Sequence, residues 1–318
     1  MPLIALNNVS VRLGGSWVLW DLALEVNASD LLAVFGRSGC GKTVLTELLA
    51  GLTKPTKGSV EWGEVDEGVA STNSLPSAAK GRSLVAAAFE GPAVANELTV
   101  YENLHFFASL SGIARRQRSR RIAYLLELLD LGSRRNARPP ELSTGELKRV
   151  EIARVLLAGC RVTVIDSLLD FLERSLLERL WEHILSERRE KGKTFLITTR
   201  SSRIAGLCPR LAVMQRGQIA FVGCPEDFRK LGGEDVIVMS ELANPAVRER
   251  IAKQLSVVIK EEEGFLSFRV SNGEKAISSL LAEFGSDIGC VYLRRPTLDD
   301  ALDVLERGAQ SVAAYDVT

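Results

Sequence analysis

The apolar positions along this 318-residue chain change period repeatedly, and each change marks an element. Residues 3 to 13 and 17 to 26 read as two strands, with Gly14-Gly15 as the turn between them. Leu31 to Phe35 is an unbroken apolar run of buried-strand length, whereas Val44, Leu45, Leu48 and Leu49 give Thr43 to Ala50 helical spacing. Lys54-Pro55-Thr56-Lys57-Gly58 ends that helix, Gly58 to Trp62 is a short strand, and the polar stretch Glu64 to Lys80 reads as loop. Leu84 to Phe89 returns to a strand, and helical patterns follow over Val100 to Leu110 and Arg115 to Leu129.

Further on, Glu141-Leu142-Ser143-Thr144-Gly145-Glu146 runs into a helical pattern from Leu147 to Leu157, with Ser143 where an N-cap belongs. Val162 to Ile165 is a buried strand ending in Asp166, Glu173 to Arg189 is a helix, and Thr194 to Thr198 is a strand. Leu211 to Met214 and Gln218 to Val222 make a hairpin around Arg216-Gly217. The pattern changes after Gly232-Gly233, which places the domain boundary between residues 1–232 and 233–318. Beyond it, Ser256 to Lys260 and Phe265 to Val270 alternate like strands joined by a turn at Glu261 to Gly264, Glu274 to Phe284 is helical, Ile288 to Arg294 is a strand, and Pro296-Thr297-Leu298 opens a last helix.

Between the Leu31–Phe35 strand and the following helix lies Gly36-Arg37-Ser38-Gly39-Cys40-Gly41-Lys42-Thr43. Wrapping phosphate oxygens in backbone N–H groups needs residues that let the chain approach closely and adopt positive φ, and the helix start adds its own donors and dipole. Gly36, Gly39 and Gly41 meet that need; Lys42 is placed to reach the outer phosphates and the Thr43 hydroxyl to ligate Mg²⁺. This strand–loop–helix is a P-loop.

Composition narrows the picture further. Forty Lys and Arg balance forty Asp and Glu, with a pI near 6.8, so no global charge draws the chain to nucleic acid. Cys40, Cys160, Cys208, Cys224 and Cys290 are scattered and odd in number, which suggests neither a disulfide framework nor a metal site. With no apolar run of membrane-spanning length and no leader pattern at Met1, the chain is expected to be neither secreted nor integral to a membrane. The basic run Arg115, Arg116, Arg118, Arg120 and Arg121 reads as a solvated helix face rather than a site for lipid or RNA.

Taken in order, the P-loop at 36–43, Leu142-Ser143-Thr144-Gly145-Glu146 about a hundred residues on, and an apolar strand ending in Asp166 resemble the nucleotide-binding subunit of an ABC transporter. The resemblance covers residue 3 to about 232 and implies an α/β fold: a P-loop NTPase core with antiparallel β and helical subdomains, followed by a small C-terminal α/β domain. It implies ATP and Mg²⁺ as ligands, with Gly36, Ser38, Gly39, Cys40, Gly41, Lys42 and Thr43 around the phosphates and Thr43 and Asp166 on the metal. It also implies that Ser143 and Gly145 cap the γ-phosphate of nucleotide bound to a second ATP-binding subunit, and that separate transmembrane subunits hold the protein at the cytoplasmic face of a membrane.

Five positions depart from the family pattern. Ser167 stands where a glutamate polarises the attacking water, and losing such a base costs on the order of 10²- to 10⁴-fold in rate. Thr199 replaces the switch histidine, Glu90 the glutamine that reports on Mg²⁺ and water, Leu13 the aromatic that stacks on adenine, and Glu173 the aspartate of the inter-subunit loop. Glu90 could ligate Mg²⁺ or act as a displaced base, but it comes from a different loop and adds negative charge; the inert reading is favoured. Trp17 could stack on adenine in place of Leu13, although a strand residue packed in the core is the favoured reading. The expectation is that this chain's own site does not hydrolyse, and that it pairs with a different, competent subunit rather than with itself.

The region after residue 232, down to its Pro-Thr-Leu-x-Asp ending at Pro296–Asp300, resembles the extension on ABC-2 exporter subunits and implies export, with a dimerisation or regulatory role for the extension. The alternative is a non-hydrolysing regulatory ATP sensor.

Overall fold

The computed structural model describes residues 2–63, 84–91, 93–242, 245–262 and 264–313; the stretch read as loop, Glu64 to Lys80, lies outside them. Contacts divide the chain into two compact units, Met1–Cys224 and Pro225–Thr318.

In chain order the first unit runs β1 (Ile4–Leu13), β2 (Ser16–Val26), β3 (Leu31–Phe35), α1 (Lys42–Leu49), β4 (Lys57–Trp62), β5 (Val85–Ala88), α2 (Val100–Leu110), α3 (Arg115–Leu128), α4 (Thr144–Ala158), β6 (Val162–Asp166), α5 (Arg174–Lys191), β7 (Thr194–Thr199), α6 (Ser202–Leu207), β8 (Arg210–Gln215) and β9 (Gln218–Gly223). A six-stranded sheet has the order β5-β6-β7-β3-β8-β9, parallel except for the β8–β9 hairpin. Strands β3, β6 and β7 are buried at every residue, as expected of parallel strands covered on both faces. A second, antiparallel sheet has the order β2-β1-β4. The two sheets share one core, in which Leu45, Leu48 and Leu49 of α1 pack with Ile4, Leu6 and Leu22 from one sheet and Leu32, Val34 and Val164 from the other.

The order β6-β7-β3 fixes where the chemistry lies. Asp166 pairs with Thr198 and Phe35 pairs with Thr199, so the loop after β3, the end of β6 and the end of β7 emerge side by side at one sheet edge. That is the carboxyl end of the strands, where open α/β sheets bind ligands. Helices α2 and α3 form a separate layer with α4. On α3 the arginines at 115, 116, 120 and 121 are exposed while Ile122, Leu125 and Leu126 are buried, in keeping with a solvated basic face.

The second unit comprises α7 (Pro225–Lys230), β10 (Asp235–Leu242), α8 (Pro245–Leu255), β11 (Lys260–Glu262), β12 (Phe265–Val270), α9 (Gly273–Phe284), β13 (Ile288–Arg294) and α10 (Leu298–Ala313). Its antiparallel sheet, order β11-β12-β10-β13, buries Ile237, Met239 and Phe268 with Val247 and Ile251 of α8 and Leu280 and Phe284 of α9. The unit begins at Pro225 rather than after residue 232, because α7 packs on α10. The strand expected at Ser256 to Lys260 also moves. Ser256 takes φ 54° just after α8, and the charged Lys260–Glu262 forms the edge strand instead, a placement that suits charge on a sheet edge. Strand β10 and helix α8 are additions to the expected elements, although each has a local signal: the run Val236-Ile237-Val238-Met239, and a proline opening a pattern with Val247 and Ile251 four apart.

Candidate nucleotide site

The loop from Gly36 to Lys42 is shaped by two different demands on glycine. A Cβ on Gly36 would lie 2.3 Å from the Met214 carbonyl oxygen, so this position is glycine because β8 crowds it, not because of positive φ. Gly41 is the N-cap of α1 at φ 106°, and a Cβ there would also meet Leu19 at 2.8 Å. No side chain caps α1, which leaves the helix start to the loop. Lys42 is buried and its ammonium donates to the carbonyls of Gly36 and Arg37, both at 2.8 Å, with the Cys40 sulfur at 3.6 Å. Burial pushes the Cys40 thiol up despite the Lys42 charge beside it, so it stays a neutral loop-packing group. Ser38, Gly39 and Thr43 are exposed at the mouth.

Across the sheet edge, Asp166 is buried and accepts the Thr198 hydroxyl. Ser167 follows in the left-handed region at φ 57°, with its N–H donating to the Thr198 carbonyl at 3.0 Å and hydroxyl at 3.1 Å. Because the Thr198 proton is committed to Asp166, the Ser167 hydroxyl, 3.4 Å away, donates to Thr198 in turn. The Thr199 hydroxyl is likewise engaged: it donates to Asp170 and accepts the Ser201 N–H at 2.9 Å. Glu90 is exposed, and its charge is near enough to act on Lys148 of α4. Burial lowers the proton affinity of that lysine, as does Arg200, while Glu90 and Asp170 raise it.

The residues present fit a magnesium triphosphate. A loop with an uncapped helix start and a buried lysine suits phosphate oxygens, and Asp166 and Thr43 offer two oxygen ligands to a cation that takes the rest of its shell from phosphate and water.

A model of the ABC transporter family matches residues 19–169. The spermidine/putrescine import ATP-binding protein PotA of Bacillus cereus is 30% identical over 227 residues, covering 71% of this chain and 67% of that protein. This chain belongs to the ABC transporter ATP-binding subunits. Another relative, PotA of Pseudomonas aeruginosa (strain UCBPP-PA14), is 26% identical over 327 residues, spanning 100% of this chain and 86% of its own length. The methionine import ATP-binding protein MetN 1 of Bacillus anthracis is 31% identical over 231 residues, 71% of this chain and 66% of the relative. Among solved structures, a dimeric ATP-binding cassette in a post-hydrolysis state with ADP and phosphate bound superposes with TM-score 0.61 at 22% identity, over 70% of this chain and 98% of that one. The fold class read from the sequence, an ABC-type P-loop NTPase, therefore stands. These three relatives are named as importers, which lends no support to export.

In this ATP-binding subunit the remaining expected residues sit at or near the ends of elements and are exposed. Ser143 is the exposed N-cap of α4: its hydroxyl accepts the Glu146 N–H at 3.2 Å and its own N–H donates to the Glu146 carboxylate at 2.8 Å. The Ser143 N–H and Arg134 hold the Glu146 carboxyl down at about 2. Gly145 faces open space, with nothing within 4 Å of a Cβ. Leu13, at the end of β1, is exposed. Trp17 is not in the core: it is 46% exposed on β2, with Arg12 and Lys57 5.8 and 5.5 Å from its ring centre. The β1–β2 pairing puts Trp17 opposite Arg12 on an outward-facing register, so its bulk meets cations and solvent. Glu173 opens α5 as an exposed N-cap without a side-chain bond to the helix.

Two pairs of residues around the site were not anticipated. Glu151, 1% exposed, accepts the Ala93 N–H at 2.6 Å and Arg154 at 2.8 Å, and Arg154 reaches the Ala87 carbonyl at 3.0 Å, pinning the chain around Glu90 to α4. Asp170 and Arg200 join the β7 end to the loop. A glutamate and an arginine three apart within α4 is the one signal the sequence offered for the first pair; nothing local marks the second.

Proposed function

We propose that this subunit binds Mg-ATP through Lys42, Thr43 and Asp166, docks peripherally on separate membrane subunits, and drives transport by nucleotide-dependent closure with a second ATP-binding subunit. The observation that carries this is the meeting of the P-loop with the Asp166 and Thr199 strand ends at one sheet edge. The bound triphosphate would supply a cleavable phosphoanhydride. This chain's residues wrap, neutralise and orient it. Its own site is poor in the groups that activate water: the Ser167 and Thr199 hydroxyls are engaged with Thr198 and with Asp170 and Ser201. A hydroxyl is in any case too weak a base near neutral pH. That supports a heterodimer in which Ser143 and Gly145 complete a competent partner's site; the import relatives give no support to heterodimers over homodimers.

For direction, the names of the relatives favour import. The Pro296–Asp300 ending that pointed to export serves as a helix start: Asp300 accepts the Thr297 N–H at 2.8 Å while the Thr297 hydroxyl accepts the Asp300 N–H at 3.1 Å. Any helix can begin that way, so the export reading now rests on the α/β form of the second unit alone. The small second unit is read as a dimerisation or regulatory module. The alternative of a regulatory ATP sensor is favoured by the same engaged hydroxyls.

Tagging the chain in its own cells, extracting in mild detergent and identifying the co-purifying chains tests the reading. A second P-loop subunit with membrane proteins supports the heterodimer, and membrane proteins with this chain alone support a homodimer. Recovery without any membrane protein overturns transport. Substrate flux in vesicles of known orientation then decides import or export.

A further inference from the structure

The departures at Ser167 and Thr199 are accompanied by a bridge that spans the sheet edge. Asp170, in the turn after Ser167 and with its side chain 9% exposed, accepts the Thr199 hydroxyl on one oxygen and the Arg200 N–H at 3.0 Å on the other. The Arg200 guanidinium lies with its Nε 3.9 Å from the same Asp170 oxygen and donates from Nη1 to the Ser38 hydroxyl at 3.1 Å. Ser38 belongs to the phosphate loop, so a permanently charged fork stands at the loop mouth, 47% exposed, held from behind by a carboxylate. Lys148, near the start of α4, is close enough to be opposed by the Arg200 charge and favoured by those of Glu90 and Asp170, so the mouth gathers two cations and two carboxylates.

We propose that Arg200, aimed by Asp170, is the residue by which this site tells ATP from ADP, occupying the role that the engaged Thr199 hydroxyl leaves open. The inference rests on the Mg-ATP reading above. A terminal phosphate leaving the loop mouth presents several anionic oxygens where Ser38 presents a single neutral hydroxyl. Arg200 gains by turning from one to the other, because a guanidinium–phosphate pair joins two ionised partners and can be bidentate, where the Ser38 hydroxyl offers one neutral acceptor. ADP, without that phosphate, leaves Arg200 on Ser38. Asp170 is a positioning residue. Its contact with the Arg200 backbone N–H fixes where the arginine leaves the strand, and its charge keeps the guanidinium from swinging into solvent.

The test is calorimetric titration of the full chain with Mg-ADP and with a magnesium complex of a non-hydrolysable ATP analogue, in wild type, Arg200→Ala, Arg200→Lys and Asp170→Asn, alongside thermal melts without nucleotide. Arg200→Ala is expected to weaken the triphosphate about ten- to a hundredfold and the diphosphate less than about threefold. Arg200→Lys should fall between, since a point charge lacks the fork, and Asp170→Asn should lose about three- to tenfold on the triphosphate alone. Equal weakening of both nucleotides, or a lower melting temperature with an unchanged affinity ratio, overturns the proposal and leaves a structural bridge. Should wild type bind neither nucleotide, the ATP-binding reading itself fails and this inference falls with it.

Discussion

Helices α1 and α4 both begin with backbone donors that a helix cannot satisfy internally, and the two starts are built in opposite ways. At α1 the cap is Gly41, with no side-chain bond and a buried lysine as the next residue. At α4 Ser143 and Glu146 satisfy each other reciprocally, and Arg134 holds Glu146 at 2.7 Å. The first start is open to an anion and already positive. The second arrives closed, with its first donors and the Glu146 carboxylate already paired. In the proposed pairing with a second subunit, an anion meeting α4 would have to displace or share the Ser143 contact, with Arg134 offsetting part of the Glu146 charge.

That contrast is broken most sharply at Lys42. Lys42→Ala should weaken Mg-ATP by about a hundredfold or more in titration calorimetry, because the loop loses its only buried cation among the described residues; an unchanged affinity would make α1 an ordinary glycine-capped helix. Ser143→Arg should act on the other start alone. It should reduce turnover by the assembled pair at least about tenfold while leaving nucleotide binding by this chain unchanged, and Ser167→Ala should leave turnover nearly as it was. A large loss from Ser167→Ala, measured as phosphate release, would mean that this chain's own site hydrolyses.

Glycines sharpen the comparison at the level of stability. Gly41→Ala combines positive φ with a clash against Leu19, and should destabilise by about 1–3 kcal/mol in denaturant melts. Gly145→Ala, inside α4 and facing open space, should stabilise by about 0.5–1 kcal/mol. The smallest effect is expected at Glu146. Its carboxyl is held at about 2, below its ordinary value near 4.5, so its contribution is present above about 4.5 and lost as pH falls through about 2. Glu146→Ala should lower the melting temperature by about 1 °C at pH 6, and the difference from wild type should shrink through that acid window.

Much of the first unit is legible in the sequence because its signals are local. The P-loop, the Ser143 cap and the buried strand ending in Asp166 each depend on residues close in sequence, and each element forms within a few residues of its expected bounds. Trp17 defeats that kind of reading because an aromatic in a strand has two faces to choose from, and only the pairing with Arg12 decides which one it takes. The second unit is less legible. Its edge strand Lys260–Glu262 is charged and carries no apolar alternation, so local pattern places a turn where the strand forms. Helix α7 precedes the Gly232-Gly233 signal yet belongs to the second unit, since its attachment to α10 spans some seventy residues of chain.

By itself the sequence determined the glycine-rich loop, the order of elements around it and the serine that directly follows the buried Asp166, because backbone conformation, periodicity and residue chemistry are properties of short segments. Tertiary structure alone decided which hydroxyls are engaged and which charges meet. Asp170 reaches Thr199 and Arg200 across about thirty residues, and Arg200 reaches Ser38 across 162, only because β6, β7 and β3 lie side by side. Strand order brings these groups together, and strand order comes from the packing of the whole sheet.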